Sequence, residues 1–350
     1  MNNFFFKIKN KIKLIDILNT LDVTEENFLN VNKNINQNIE NLFIDDFVSF
    51  TNLKKNKLSF YTNKKDYLKN VFSGICIVEK INLHLLSDEV IKIPYKNPKK
   101  GFSTILEKYF GKSNFKNKRY SIHPLAFIHK TAKIGNNVYI GPYSFIDEGV
   151  IIEDNTYISE RVSISYNCKI GKECFLGVGS VIECTIINDK VMISSNTVVG
   201  KSGFGFIPNK TKTQLTPHIG GVFIGEGTNI GAGCTIDRGL IDDTQIGKYV
   251  MIDNQVHIGH NSKIDDFCIL AGQVGLSGSV VLKKNVTIGG DVSIKDNVTI
   301  GEDSVIAGAS KVFNNFPKGS YIGGSPAQDI KAWKRMIAAQ RLDLKKRKNN

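Results

Sequence analysis

The sequence predicts a mainly β protein: a parallel β-helix of hexapeptide repeats, preceded by a small α/β domain and followed by a C-terminal helix. Aliphatic residues recur every six positions in two long series, and neither an α-helix nor an ordinary strand has that period. In a β-helix each hexapeptide forms one wall of a coil, and stacked coils bury one aliphatic column per wall. The two series are Ile128, Ile134, Ile140, Ile146, Ile152, Ile158, Ile164, Ile170, Leu176 and Ile182, then Ile246, Ile252, Ile258, Ile264, Leu270, Leu276, Leu282, Ile288, Ile294, Ile300 and Ile306.

The N-terminal region, residues 1–115, lacks the six-residue period. An amphipathic helix is predicted between Ile12 and Leu21, and a second amphipathic pattern covers residues 96–113. Short β-like runs lie between these helical segments. The alternation predicts a small α/β domain, and the polar, basic segment 111–119 is predicted to be the linker that follows it.

The β-helix is predicted to occupy residues 120–315. Its first series breaks after Ile182, and residues 200–221 form an excursion with its own glycine and aromatic residues. Long loops of this kind are usually functional. The repeat resumes at Ile224, shifts phase once by four residues and ends near Ile306.

The charged residues are concentrated at the two ends of the chain. The net charge is +13, but residues 121–330 contain 17 basic and 20 acidic side chains, whereas residues 331–350 contain 8 basic and 1 acidic. An amphipathic helix is predicted within the C-terminal segment 325–350. We expect this basic segment to dock an acidic partner. Nucleic acid is disfavoured because no recognised binding motif accompanies the charge.

The distribution of apolar residues predicts a cytoplasmic protein. No stretch approaches the ~20 apolar residues of a membrane span, and the N-terminal apolar run Phe4–Phe6 is too short for the core of a signal peptide. The six cysteines include no CxxC pair. We expect them to be small buried hydrophobes rather than a disulfide framework.

Two of the six histidines lie three residues apart, His257 and His260, within the segment Asp253-Asn-Gln-Val-His-Ile-Gly-His-Asn261. Since Ile258 belongs to the inward column, both imidazoles are predicted to face outward. An outward imidazole can be a solvated surface group. In a cleft between subunits it can act as a general base near neutral pH. Acyl transfer also needs a donor to the oxyanion, which a backbone N–H at a glycine corner can supply.

The chain resembles the UDP-3-O-(3-hydroxyacyl)glucosamine N-acyltransferase family of lipid A synthesis over roughly residues 10–335. Hexapeptides alone are shared by many acyltransferases, whereas the joint order of the other motifs is specific. The resemblance implies a left-handed coil and a homotrimer. The motifs are Ser59-Phe-Tyr-Thr-Asn63, Gly203-Phe-Gly-Phe206, Gly231-Ala-Gly-Cys-Thr-Ile-Asp-Arg-Gly239, the Asp253–Asn261 segment and Gly323-Gly-Ser-Pro-Ala327.

By this resemblance, His260 is the catalytic base and the backbone amide of Gly278 is the oxyanion donor. Asp253, His257 and Asn261 are expected beside the substrate, and either Asp253 or Asn261 is expected to orient His260. The N-terminal domain is expected to bind the uracil ring.

Within that domain, Phe60 and Asn63 match the family's uracil-binding positions, although Phe60 could also be an ordinary core aromatic of a strand. Tyr67 fits the family's stacking tyrosine only with a one-residue insertion. Asn297 stands where many members of the family have a second histidine, so any role of that histidine must be weaker here or filled by amide hydrogen bonds.

The implied reaction transfers a 3-hydroxyacyl chain from acyl carrier protein to the 2-amine of UDP-3-O-acyl-glucosamine. The phosphopantetheine arm arrives on the carrier, so no cofactor or metal is expected. The side chains expected to dock the carrier protein are Lys331, Lys334, Arg335 and Arg341.

Three alternatives remain open from the sequence. An O-acyltransferase acting on a UDP-amino sugar shares the coil, but it would lack the N-terminal domain and have a larger C-terminal helical domain. A trimeric carbonic anhydrase needs three histidine ligands for zinc, and no third histidine follows His260 in the coils, since His218 lies in the excursion. A non-catalytic β-helix scaffold would leave His260 as a surface residue.

Overall fold

A computed structural model of the chain divides into two compact units, Met1–Lys118 and Arg119–Asn350. The structure describes residues 8, 10–33, 39–62, 73–110, 121–209, 211–324, 335–342 and 344.

The first unit is the predicted α/β domain. A four-stranded parallel sheet runs in the order Asp46–Phe47, Lys57–Phe60, Gly74–Val78 and Val90–Pro94, and a short antiparallel pair joins Ile12–Lys13 to Phe43–Ile44. The α-helices are Leu14–Thr20, Glu25–Val31 and Pro98–Phe110, and the 3₁₀ helices are Ile39–Asn41, Phe50–Asn52 and Lys80–Leu85.

Local sequence explains these elements. The strand Gly74–Val78 is buried along its whole length, as expected of a central strand of a parallel sheet. The helix Glu25–Val31 begins at Thr24, whose side chain accepts a hydrogen bond from the Asn27 N–H at 3.3 Å and caps the first turn. The apolar segment 43–50 forms two short strands and the start of a 3₁₀ helix.

The second unit is a parallel β-helix with three faces, and every third strand belongs to the same face. The first face contains Phe127–Ile128, Phe145–Ile146, Ser163–Ile164, Val181–Ile182, Val198–Ser202, Thr235–Arg238, His257–Ile258, Gly275–Leu276, Ser293–Ile294 and Lys311–Val312. The second contains Lys133–Ile134, Ile151–Ile152, Lys169–Ile170, Thr185–Ile187, Val222–Ile224, Thr244–Ile246, Lys263–Ile264, Val281–Leu282 and Thr299–Ile300. The third contains Tyr139–Ile140, Tyr157–Ile158, Phe175–Leu176, Met192–Ile193, Asn229–Ile230, Met251–Ile252, Ile269–Leu270, Thr287–Ile288, Val305–Ile306 and Tyr321–Ile322.

The second residue of most strands is the inward aliphatic, as the period predicts. Ile258 is fully buried and is paired with Ile236 one coil before it and Leu276 one coil after it. Two positions before the inward residue, a small side chain such as Val256 is also buried. At many corners a residue has a left-handed φ, and asparagine, which tolerates that conformation well, often occupies this position.

The predicted break in the six-residue series after Ile182 is confirmed, but it is a shift of phase and not an end of the coil. The coil continues through Ile187, Ile193 and Val199, which are all buried, and Lys169–Ile170 pairs in register with Ile186–Ile187. One corner is a residue shorter, so the next inward residue comes five positions after Ile182 instead of six. The repeat also extends beyond Ile306, because the strands Lys311–Val312 and Tyr321–Ile322 add two more walls.

The excursion leaves the coil after the strand Val198–Ser202 and returns at Val222–Ile224. It contains a short antiparallel hairpin between Phe206–Ile207 and Gln214–Leu215. The departing strand is irregular, since its pairing with Thr235–Arg238 shifts register between Val199 and Lys201. A bulge of this kind redirects the chain and sends the excursion along the first face. The C-terminal residues 335–342 are helical.

Candidate active site

His260 lies at the corner that follows the strand His257–Ile258 on the first face, and its side chain is half-buried. Because Ile258 points into the core, the residues that follow it turn outward at the corner, as predicted. Three features surround the imidazole: the Asn261 amide, the Gly278 backbone and the His218 ring.

The Asn261 amide determines which nitrogen of His260 carries the proton. Its Oδ1 accepts a hydrogen bond from the Leu240 N–H at 2.9 Å, and its Nδ2 donates to the Asp242 carbonyl at 3.0 Å. These two backbone partners fix the orientation of the amide. The same Oδ1 lies 3.1 Å from His260 Nδ1, and an amide oxygen only accepts. In the neutral imidazole, Nδ1 therefore bears the hydrogen and Nε2 has the free lone pair.

Gly278 lies against that lone pair. A Cβ added to Gly278 would stand 2.7 Å from His260 Nε2, so only glycine allows this close approach of backbone to imidazole. The Gly278 carbonyl is occupied, because it accepts from the Asn297 N–H at 3.1 Å. The backbone at this corner is thereby fixed beside His260.

The Gly278 N–H is unoccupied among the residues that the structure describes. At the corresponding corner of another coil, the Lys248 N–H donates to Asp266 Oδ1, eighteen residues further on, at 2.7 Å. The residue eighteen positions after Gly278 is Asp296, whose Oδ2 accepts from the Asn297 side chain instead, at 2.9 Å. A donor without an acceptor beside a basic nitrogen is the arrangement that an oxyanion requires.

The excursion contributes His218, which sequence reasoning set aside because it lies outside the coils. Its ring centroid is 5.1 Å from that of His260, with the two planes at 68°. His218 is almost completely buried, and its Nδ1 lies 3.0 Å from the Thr216 carbonyl oxygen and 3.3 Å from Ser202 Oγ. Pairing with a carbonyl places the hydrogen on Nδ1. His218 Nε2 is buried and has no hydrogen-bond partner within the described part of the chain.

Arg238 fixes the return of the excursion onto the coil. Its Nε donates to the His218 carbonyl at 2.9 Å and its Nη1 to the Gly200 carbonyl at 3.0 Å. The same guanidinium lies 3.6 Å from Glu183 Oε2. These contacts join the two ends of the excursion to the strand Thr235–Arg238. The coil therefore helps to hold His218 in position.

A second polar cluster lies beside the first on the same face. The Asp237 carboxylate is buried, 3.1 Å from Lys201 Nζ and 3.9 Å from His257 Nε2. His257 Nδ1 is 2.8 Å from Thr235 Oγ1. His257 is exposed, as predicted, with about half of its side chain open to solvent. The sequence motif contained Asp237, but only the structure shows that its carboxylate is buried.

Of the two side chains considered for orienting His260, the structure brings only Asn261 to it. Asp253 Oδ1 accepts from the Asn254 N–H at 2.7 Å at the preceding corner. Asn297 has a left-handed φ of 62° and an exposed side chain. Its contribution to the site is the backbone hydrogen bond to Gly278.

The predicted nucleotide-binding residues fall partly outside the described part of the chain. Phe60 ends the strand Lys57–Phe60, is half-buried and lies 5.0 Å from the Phe102 ring, centroid to centroid. It therefore packs against the helix Pro98–Phe110 along at least part of its surface. Asn63 and Tyr67 lie outside the described residues.

The residues predicted to dock a carrier protein are likewise only partly described. Arg335 and Arg341 are exposed in the C-terminal helical segment, whereas Lys331 and Lys334 lie outside the described residues. Within the described ranges, no helix is long and apolar enough to cross a membrane.

Five of the six cysteines are buried, and Cys184 is half-exposed. Burial raises the pKa of Cys168 to about 11, and the pKa values of Cys174 and Cys268 to about 12. These thiols are therefore protonated and unreactive near neutral pH. No group of three or more His, Cys, Asp or Glu side chains among the described residues could hold a metal ion.

Comparison with known proteins defines the class. Residues 122–166 match the family model of the bacterial transferase hexapeptide (six repeats), and residues 168–201 match that of the hexapeptide repeat of succinyl-transferase. The solved structure of a UDP-N-acetylglucosamine acyltransferase from Arabidopsis is 27% identical, has a TM-score of 0.54, and is matched over 61% of this chain and 76% of that one. With the coil and the site described above, these matches define an acyltransferase built on a left-handed β-helix.

Two relatives identify the particular family. A UDP-3-O-acylglucosamine N-acyltransferase of Rhodopseudomonas palustris strain BisB5 is 42% identical over 281 residues, which is 79% of this chain and 77% of that protein. The protein of the same name from strain CGA009 is 44% identical over 291 residues, 81% of each chain. The chain belongs to the UDP-3-O-acylglucosamine N-acyltransferase family.

Proposed function

We propose that this acyltransferase transfers a 3-hydroxyacyl chain from acyl carrier protein to the 2-amine of UDP-3-O-acyl-glucosamine in lipid A synthesis. The relatives' printed names supply the acceptor class. The observation that carries the chemistry is the geometry at one corner: His260 Nε2, with its lone pair free, faces the backbone of Gly278.

In the proposed step, the acceptor amine attacks the thioester carbonyl carbon and His260 Nε2 takes the amine proton. The carbonyl oxygen becomes an oxyanion that accepts from the Gly278 N–H. The carbon–sulfur bond then breaks, the nitrogen–carbon bond of the amide remains, and the His260 imidazolium returns its proton to the departing phosphopantetheine thiolate. Asn261 Oδ1 supports both halves of this cycle, because it accepts from Nδ1–H whether the ring is neutral or protonated.

Neighbouring residues support binding of a sugar nucleotide. His257 and the Asp237 carboxylate lie on paired strands of the same face as His260. They offer donors and acceptors for sugar hydroxyls or the amine. The N-terminal domain is proposed to bind the uracil ring through Phe60, Asn63 and Tyr67, and Asp253 is proposed to contact the acceptor.

We further propose that the working enzyme is a cytoplasmic homotrimer that needs no cofactor or metal. Support for the homotrimer comes from apolar side chains of the excursion that are exposed: Phe204, Phe206, Ile207, Leu215 and Ile219. Exposed apolar groups that cluster in this way usually mark a protein contact. The basic C-terminal segment, with Lys331, Lys334, Arg335 and Arg341, is proposed to dock the acidic carrier protein.

A transfer assay with two acceptors tests the reaction. Purified protein is incubated with hydroxyacyl carrier proteins of several chain lengths and either 3-O-acylated UDP-glucosamine or UDP-N-acetylglucosamine. We expect an amide product with the first acceptor and no ester with the second. Ester formation with the second acceptor would favour the O-acyltransferase, and no product with either acceptor would favour the scaffold.

A further inference from the structure

His218 is the one histidine outside the coils of the β-helix that nevertheless lies in the site. Its ring is buried in a fixed orientation, since Nδ1 pairs with the Thr216 carbonyl and approaches Ser202 Oγ, while Arg238 holds its backbone carbonyl. Its other nitrogen is a buried acceptor with no partner in the described chain, on a ring packed edge-on against His260. An unpaired buried acceptor costs free energy, so its presence beside His260 calls for a functional explanation.

Two glycines of the excursion fit closely around the pair of rings. A Cβ on Gly203 would lie 2.8 Å from His260 Cβ and 2.9 Å from His218 Nε2. A Cβ on Gly205 would lie 2.6 Å from His218 Cε1, and every other contact that it would make is at 3.3 Å or more. The loop therefore covers His218 at van der Waals distance on the side of these two glycines.

We propose that His218 is a positioning residue for His260. Asn261 holds one edge of the His260 ring and His218 packs against its flank, so that Nε2 stays directed at Gly278. The unprotonated Nε2 of His218 also favours the imidazolium that His260 becomes, because a buried lone pair attracts a neighbouring cation at low dielectric. This inference rests on the proposed role of His260 as the base.

The charged groups around the two rings are themselves paired. Arg238 contacts the His218 carbonyl and Glu183, and Lys201 contacts Asp237, which also approaches His257. Each cation in this set therefore has an anionic neighbour. The His218 ring is the neutral group in direct contact with the flank of His260.

The first test removes the lone pair of His218 Nε2 and keeps an aromatic ring at that position. In His218→Phe we expect kcat for amide formation to fall about 10- to 100-fold, as for a displaced catalytic group, and the acidic limb of the kcat–pH profile to move to lower pH. His129→Phe is the matched control. His129 comes directly after the first strand of the same face, Phe127–Ile128, and its ring also pairs with a nearby hydroxyl. The control is expected to keep both the rate and the profile of the wild type.

The second test acts on His218 without replacing it. Gly205→Ala should lower kcat by a similar factor, since its methyl group must displace the His218 ring. In a His218→Ala background, where that ring is absent, Gly205→Ala should cost nothing further. Such non-additivity is expected only if the two positions act through one contact.

The outcomes separate this inference from the proposed function. An inactive wild type, or a fully active His260→Ala, would contradict the role of His260. With wild type active and His260→Ala inactive, an unchanged rate or an unmoved acidic limb in folded His218→Phe would overturn the role of His218. Equal losses from Gly205→Ala in both backgrounds would overturn it as well.

Discussion

A single side-chain amide at Asn261 connects the His260 ring to the backbone of the coil. It accepts from the Leu240 N–H and from His260 Nδ1, and it donates to the Asp242 carbonyl. Its backbone φ of 62° lies in the left-handed region, where asparagine and glycine are both tolerated. The side chain and the backbone can therefore be tested separately.

Asn261→Gly keeps the backbone conformation and removes the amide. We expect kcat to fall about 10- to 100-fold, part of the 10²–10⁴ that a positioned general base contributes, because His260 Nδ1–H loses its acceptor. Steady-state kinetics beside Asn155→Gly, another left-handed corner residue far along the coil, would check this. Equal rates in the two variants would show that Asn261 does not orient the base.

Gly278 is where a methyl group should matter most. In Gly278→Ala the new Cβ would meet His260 Nε2 at 2.7 Å, while the backbone needs no left-handed φ. We expect a folded protein whose kcat falls at least about 10²-fold, the scale of a lost oxyanion contact. Gly324→Ala is the matched control, because its new Cβ would meet no atom of the described residues within 4 Å. Retained turnover in Gly278→Ala would place the chemistry elsewhere.

At the scale of elements, the six-residue period predicted the coil, the inward column and the outward direction of both His257 and His260. These follow from local alternation, which depends on neighbours in sequence. The period could not predict that the column continues through Ile187 and Val199, because one corner there is a residue shorter. Nor could it predict the contact of His218 with His260, because the path of the excursion depends on tertiary contacts such as those of Arg238.

Burial in the folded protein should protect most cysteines from labelling reagents, and a labelling experiment tests this. Because burial raises the pKa of Cys168 to about 11 and of Cys174 and Cys268 to about 12, the reactive thiolate is scarce at pH 8 and increases only as the pH approaches those values. We expect native protein at pH 8 to react quickly at Cys184 alone, and all six thiols to react in denaturant. Fast labelling that persists in Cys184→Ser would mean that a coil, or the N-terminal sheet that contains Cys76, opens readily.

At the scale of the whole molecule, the exposed apolar residues of the excursion need a partner surface. Phe204 and Ile219 are each more than three-quarters exposed. We expect sedimentation to give the mass of three 38.9-kDa chains. Phe204→Ser should shift the population toward smaller species while the far-ultraviolet spectrum stays unchanged. A wild-type monomer that is fully active would contradict the trimer.

His260 is proposed to remove the proton from the acceptor amine. The most direct test compares the rate of amide formation in His260→Ala, His129→Ala and wild type, with 3-O-acylated UDP-glucosamine and a hydroxyacyl carrier protein as substrates. We predict a loss of about 10²–10⁴-fold for His260→Ala and none for His129→Ala, with all three proteins sharing one oligomeric mass. Turnover by folded His260→Ala within a few-fold of wild type would contradict the role of His260 as the base.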